Sequence, residues 1–167
     1  MANPGLFIDT GVHDIDLTLS FLGADVRPKS CHAIGTLALH KELAQIQDVD
    51  NAVGTIEWYP ASPGDTAPIL YYTISRISRP GFDNPTEIIG TKGNLKINMH
   101  PRRDLIEVAD KNGIGNNVMP DFYERHEKAF VTELAVFADA VLDNTSLPFE
   151  LDVAVKAWKL QRHCKKA

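Results

Sequence analysis

The sequence predicts an α+β fold: an open, predominantly antiparallel sheet with helices on one face. Three observations predict it. Apolar residues recur at helical spacing through Val12, Ile15, Leu19 and Leu22. Short apolar or β-branched runs, separated by turn-forming residues, then fill residues 30–109. Helical spacing returns at Phe130, Leu134, Phe137 and Val141, and again after Leu151. Strands that follow one another across short turns pair antiparallel, because parallel pairing needs a long crossover.

Each element has its own signal. Residues 5–8 read as a short buried strand or an extended lead-in. A helix begins near Gly11, and Gly23 supplies the C-cap that ends it. Ser30 to Leu39 is the first strand, rich in small and β-branched residues. Residues 40–50 are polar and read as a loop. Val49 to Tyr59 is the second strand, with Ile56 and Trp58 on one face. Pro60 to Asp65 is a turn by composition. Ile69 to Ile77 is the third strand, apolar or aromatic on both faces at its start. Thr86 to Ile89 is the fourth, and Gly90-Thr91-Lys92-Gly93 turns it into Asn94 to Met99, the fifth. Asp104 to Ala109 is the sixth, ended by Lys111-Asn112-Gly113.

The stripe of Phe130, Leu134, Phe137 and Val141, filled in by Ala138, then marks a helix with its charges on the other side. Leu147-Pro148-Phe149 breaks it. A last helix starts near Leu151, with Asp152 in its first turn and Val155 and Trp158 as its apolar stripe. Helices cover one face of the sheet. Trp58, Tyr71, Tyr72 and Ile74 are too apolar to be shared out to that face alone. The other face therefore reads as an association surface, and the chain as a homo-oligomer; the alternative packs all four of these residues under the helices.

A length of 167 residues suits one domain, 1–167. Hydrophobic residues at 44% and charged residues at 23% allow a core without disulfides. The net charge of -5 is spread along the chain, with no basic stripe for nucleic acid. No apolar run is long enough for a membrane helix, and no lysine-rich amphipathic helix suggests a membrane surface. Cys31 and Cys164 are far apart and form no C-x-x-C pair. That argues against a disulfide framework and fits a reducing compartment. The start of the chain carries no secretory signal, so a cytoplasmic location is expected.

Cys31-His32 and His163-Cys164 lack zinc-site spacing, and His40, His100 and His126 are scattered, so no metal is expected. Gly113-x-Gly115 lacks the third glycine and the strand–helix context of a dinucleotide site.

The chemistry concentrates in Gly5-Leu6-Phe7-Ile8-Asp9-Thr10-Gly11-Val12-His13-Asp14-Ile15-Asp16. Asp9 and His13 are four apart, so on a helix they share a face. A carboxylate beside an imidazole is suited to moving a proton near neutral pH. A helix N-terminus favours carboxylates and neutral imidazoles, which equips a histidine there as a base. The plainer alternative makes Asp9 a helix N-cap and His13 part of a half-buried face. Lys92, Arg76 and Arg79 are candidates for a pocket mouth, although solvated charges are the commoner outcome on strands and turns.

The pattern G-x-F-x-D-x-G-x-H-D-x-D resembles the active-site motif of the Gfo/Idh/MocA oxidoreductases, the NAD(P)-dependent sugar and inositol dehydrogenases. GLFIDTGVHDIDLTLSFLG is similar to the inositol 2-dehydrogenase-like branch. Asp50 to Gly54 resembles the family's strand entry, Thr86 to Leu95 its E-x-x-G-x-x-G hairpin, and Phe130 to Asn144 with Leu147-Pro148-Phe149 its penultimate helix and following turn. The resemblance implies the substrate-binding C-terminal domain, with oligomer contacts through the open sheet face.

It also implies oxidation of a secondary alcohol of a polyol or sugar, with hydride passing to NAD or NADP. His13 matches the family's proton-transferring histidine. Asp9 matches the acid that hydrogen-bonds substrate and orients the site, and Thr10 a substrate-contact position. Asp14 and Asp16 would cap or brace the helix. The family's nucleotide-binding Rossmann domain, with its catalytic lysine, is absent from this sequence. The expected function is thus the substrate-binding part of a dehydrogenase acting on CH–OH groups, as an incomplete chain. The alternative is a catalytically inactive oligomerisation or binding module derived from that family.

Overall fold

A computed structural model describes residues 5–77, 81–97, 102–149 and 151–164. In chain order the elements are a π-helical turn (Phe7–Gly11), α1 (Val12–Leu22), β1 (Pro28–Thr36), a 3-10 helix (Lys41–Ile46), β2 (Asn51–Trp58) and β3 (Ile69–Ser75). Then follow β4 (Thr86–Gly90), β5 (Gly93–Ile97), β6 (Glu107–Asp110), β7 (Gly113–Asn116), α2 (Phe122–Leu142) and α3 (Leu151–Cys164). Two compact units result: Met1–Ile77 with Pro148–Ala167, and Ser78–Leu147. Every strand pairing among the described residues is antiparallel.

In the first unit, β1, β2 and β3 form a sheet in that order. Ala52, Ile56 and Trp58 of β2 alternate inward with Tyr72 and Ile74 of β3, as the period of two requires. α1 lays Ile15 and Leu19 on this face, and α3 adds Ala157 and Cys164, closing a cluster with Ile56 and Trp58. Leu6 and Phe7 close a second cluster with Ala52, Tyr72 and Ile74. Lys156 of α3 donates to the carbonyls of Ala24 and Val26, fixing the helix against the chain that leaves α1. Gly23, at φ +90°, ends α1 as expected.

Several expectations need correction here. Residues 5–8 are not a strand; Phe7 opens the π-helical turn. Four apolar residues in a row carry no period, so a strand and a buried helix entry look alike. Residues 41–46 are a 3-10 helix within the expected loop. Trp58, Tyr72 and Ile74 are buried under the helices, and of the four surplus residues only Tyr71 faces outward. Consecutive strand residues point to opposite faces, so Tyr71 and Tyr72 part company. On α3 the buried positions are Ala157, Gln161 and Cys164, while Val155 and Trp158 stay partly exposed.

Cys31 and Cys164, expected to stay apart, are joined as a disulfide with Cα atoms 5.4 Å apart across a separation of 133 residues. Sequence spacing says nothing about two elements that meet only through the fold, here β1 and α3.

In the second unit, β4–β5 and β6–β7 are two hairpins. Gly93 and Gly113 sit at their turns at φ +153° and +115°, where L side chains are strained. Gly113-x-Gly115 is thus a hairpin strand, a seventh strand beyond the six expected. Asp121 caps α2 by accepting from the backbone N–H groups of Tyr123 and Glu124. The apolar stripe of α2 is exposed, and Ala140 is the helix's buried residue. Arg79, His100, and Asn98 and Met99 at the end of the fifth expected strand lie outside the described residues.

Candidate active site

The motif forms one continuous helical stretch, a π turn running into an α-helix. π turns are rare and recur where a site needs side chains at non-standard offsets. The turn starts from Gly5 at φ +86°, whose carbonyl accepts from Ile8 and Asp9 N–H at 3.1 and 2.9 Å. A tertiary cap holds the entry. Leu6 N–H donates to both oxygens of the buried Asp48 carboxylate, at 2.9 and 3.1 Å.

Asp48 is itself held by its neighbours in the chain. Asp50, two residues on, is fully buried. Its carboxylate accepts from the backbone N–H groups of Ala38, Leu39 and His40 and from Asn51. Burial pushes its pKa up, but these donors outweigh burial and hold it well below the usual carboxylate range. The loop before β2 is thereby pinned, and Asp48 with it.

Asp9 and His13 are both exposed, Thr10 is half-buried, and Gly11 between them is buried. Asp9 does not bond His13 among the described residues. Its partner is Arg76, whose Nη1 donates to Asp9 Oδ2 at 3.4 Å. Arg76 Nη2 lies 3.9 Å from Asp48 Oδ2, and its backbone N–H donates to Asp50 O at 2.8 Å. One guanidinium therefore spans the buried anchor and the exposed motif acid. Lys92 lies in the β4–β5 turn, in the other unit.

Neither Asp9 nor Asp14 caps α1. Gly11 is the N-cap residue and no side chain bonds there. The π turn already delivers a helical backbone, so the first N–H groups of α1 need no carboxylate. Asp14 instead faces inward, and burial raises its pKa to about 6, against the lowering effect of the His13 charge. Beneath the motif, Tyr72 O–H donates to Oε1 of the fully buried Gln161 at 3.0 Å.

Sequence reasoning named Asp9, Thr10 and His13 as site candidates and weighed Arg76. It missed Asp48, Tyr72 and Gln161. The visible trace of Gln161 was Gly11, a glycine inside a helical pattern, which flags a close approach. Nothing local marked Asp48, because its partner is 42 residues away. A hollow of about 330 Å³ is lined by Asp152, Val155, Lys156, Lys159, Leu160 and His163 of α3, none of them a motif residue. The described residues do not fit a dinucleotide. Their pairings are antiparallel, and no strand turns through a glycine-rich loop into a helix that would cradle a pyrophosphate.

The GFO/IDH/MocA C-terminal domain matches residues 2–96, more than half of the chain. The chain belongs to the GFO/IDH/MocA family. This GFO/IDH/MocA chain is 32% identical over 149 residues to the scyllo-inositol 2-dehydrogenase (NAD(+)) of Bacillus subtilis (strain 168), covering 89% of itself and 41% of that protein. It superimposes on the scyllo-inositol dehydrogenase of Lactobacillus casei, solved with bound cofactor NAD(H) and scyllo-inositol. The TM-score is 0.86 at 27% identity, over 100% of this chain and 47% of that one. Myo-inositol 2-dehydrogenase of Lactobacillus plantarum gives a TM-score of 0.88 at 25% identity, over 99% and 47%. The chain thus corresponds to the C-terminal part of inositol dehydrogenase-like oxidoreductases and spans less than half the length of these relatives.

Proposed function

We propose that this GFO/IDH/MocA chain is the substrate-binding domain of a dehydrogenase that oxidises a CH–OH group of an inositol or related polyol. The observation that carries the reading is the motif itself: Asp9, Thr10 and His13 on one helical segment, with Asp9 held by Arg76 at 3.4 Å. Hydride leaves carbon only as the hydroxyl proton leaves oxygen, so a base must reach that oxygen. His13 Nε2 or Nδ1 takes that proton. Asp9 accepts a hydrogen bond from a substrate hydroxyl, with Arg76 fixing one of its oxygens. Thr10 contacts the substrate beside them. A nicotinamide cofactor, NAD or NADP, is the hydride acceptor in such oxidations, and its binding residues lie outside those described here.

The native protein isolated from its own cells provides the test. It is assayed with myo-inositol and scyllo-inositol in the presence of NAD and of NADP. His13→Asn lowers kcat by about 10²–10⁴-fold while leaving assembly intact. Equal turnover by the variant rules out the base role. A second reading, an inactive binding or oligomerisation module, is favoured by the lack of a dinucleotide cradle among the described residues. Absence of turnover by the wild-type protein decides for it.

We place the protein in the cytoplasm. The Cys31–Cys164 disulfide withdraws the support that separated cysteines gave to a reducing compartment, so this placement rests on the likeness to the dehydrogenase family.

A further inference from the structure

We propose that Gln161, near the end of α3, is a positioning residue for the Asp9–His13 pair. The pair's chemical role rests on the reading above; the contact does not. Gly11 lies two residues from each member of the pair. Its backbone is ordinary helix, φ −65° and ψ −19°. Glycine is therefore not required there for conformation, and alanine is the better helix former. What it provides is room. A Cβ at Gly11 would stand 3.1 Å from both Oε1 and Nε2 of Gln161 and 3.2 Å from its Cδ.

Gln161 has little freedom to give way. It is fully buried, and Tyr72 O–H donates to its Oε1 at 3.0 Å. Tyr72 is also buried, and its ring lies where a Cβ on Gly54 would go. The end of α3 is tied to β1 through Cys164 and Cys31. A stack of contacts thus runs from Gly54 through Tyr72 and Gln161 to Gly11, from the sheet to the motif. Nε2 of Gln161 has no partner among the described residues. An apolar side chain of similar size would fill the space without that unpaired group. The carboxamide is therefore not there for packing alone; its contacts set the height and turn of the backbone that carries Asp9 and His13.

The test is a double-mutant cycle in the 167-residue chain: Gly11→Ala, Gln161→Ala, and both. Two quantities are read, thermal stability and the imidazole ¹H–¹³C signal of His13. In the wild-type background Gly11→Ala lowers Tm and displaces the His13 signal. In the Gln161→Ala background the same change raises Tm, because alanine then meets empty space, and it leaves the His13 signal in place. Two results overturn the proposal. One is an effect of Gly11→Ala with the same sign and size in both backgrounds. The other is a change in Tm with an unmoved His13 signal, which would leave Gln161 a structural residue only. Should Gln161→Ala not fold, Gln161→Asn retracts the carboxamide by one methylene and serves as the second background. No polyol enters the cycle. Its failure leaves the functional reading standing, and absence of polyol turnover leaves the contact standing.

Discussion

Asp14 titrates where a histidine ordinarily would. Burial lifts its pKa from 3.8 to about 6, and a charged His13 beside it pulls the other way. The folded-state value lies above the unfolded one, so the native protein holds a proton that the unfolded chain releases. Stability therefore rises as pH falls from above 6 toward 4, by on the order of 3 kcal/mol. Asp14→Asn removes this slope. Urea unfolding at pH 4.5 and 7.5 checks it: the variant is more stable than wild type at the higher pH, and the difference shrinks at the lower. Asp48 stabilises by accepting from Leu6 N–H. Asp48→Ala leaves Leu6 N–H without its acceptor in a buried place and costs about 1–3 kcal/mol, seen as a lower denaturant midpoint. Asp9 and His13 were named as candidates because a motif of fixed spacing carries them. Asp48 and Gln161 were not, because their partners are distant in sequence and only the folded chain brings them together.

The elements divide in the same way. α1 was legible to within a residue, because its apolar stripe repeats every three or four residues and a glycine ends it. α3 was located, but its inward face was misread. The large residues Val155 and Trp158 looked like the stripe, whereas small Ala157 and polar Gln161 face the core. Close helix packing favours small residues, and a hydropathy pattern hides that. The disulfide between β1 and α3 closes a loop of 133 residues. In the chain-entropy account such a closure stabilises by up to about 5 kcal/mol. Reduction with dithiothreitol, or Cys164→Ser, lowers Tm accordingly, and hydrogen exchange speeds up first along α3. In the second unit, Asp121→Ala removes the α2 cap and costs about 0.5–2 kcal/mol. Helix content measured by circular dichroism on mild heating reports the loss.

For the molecule as a whole, the antiparallel plan was legible from turn signals alone, while its distribution over two units was not. Contacts decide that boundary, and composition does not shift at Ile77 or Pro148. The outward face of the three-stranded sheet presents Ile34 opposite Val53, with Ile69 and Tyr71 nearby, all exposed. A face of this kind is expected to pair with a second copy. Sedimentation at micromolar concentration should show self-association, and Val53→Lys should weaken it; a wild-type monomer rules the surface out. The chain leaves the first unit at Ile77 and rejoins it at Pro148. That path sets a timetable for synthesis. Asp9 and His13 leave the ribosome about 150 residues before Gln161. At ~5–20 residues per second the motif waits roughly 8–30 seconds for its floor. Throughout that interval Ile15 and Leu19 have no α3 to close over them. The nascent chain is then a client for whatever shields apolar surface at the exit tunnel, and a ribosome stalled before residue 150 would expose a motif that cannot yet hold its shape.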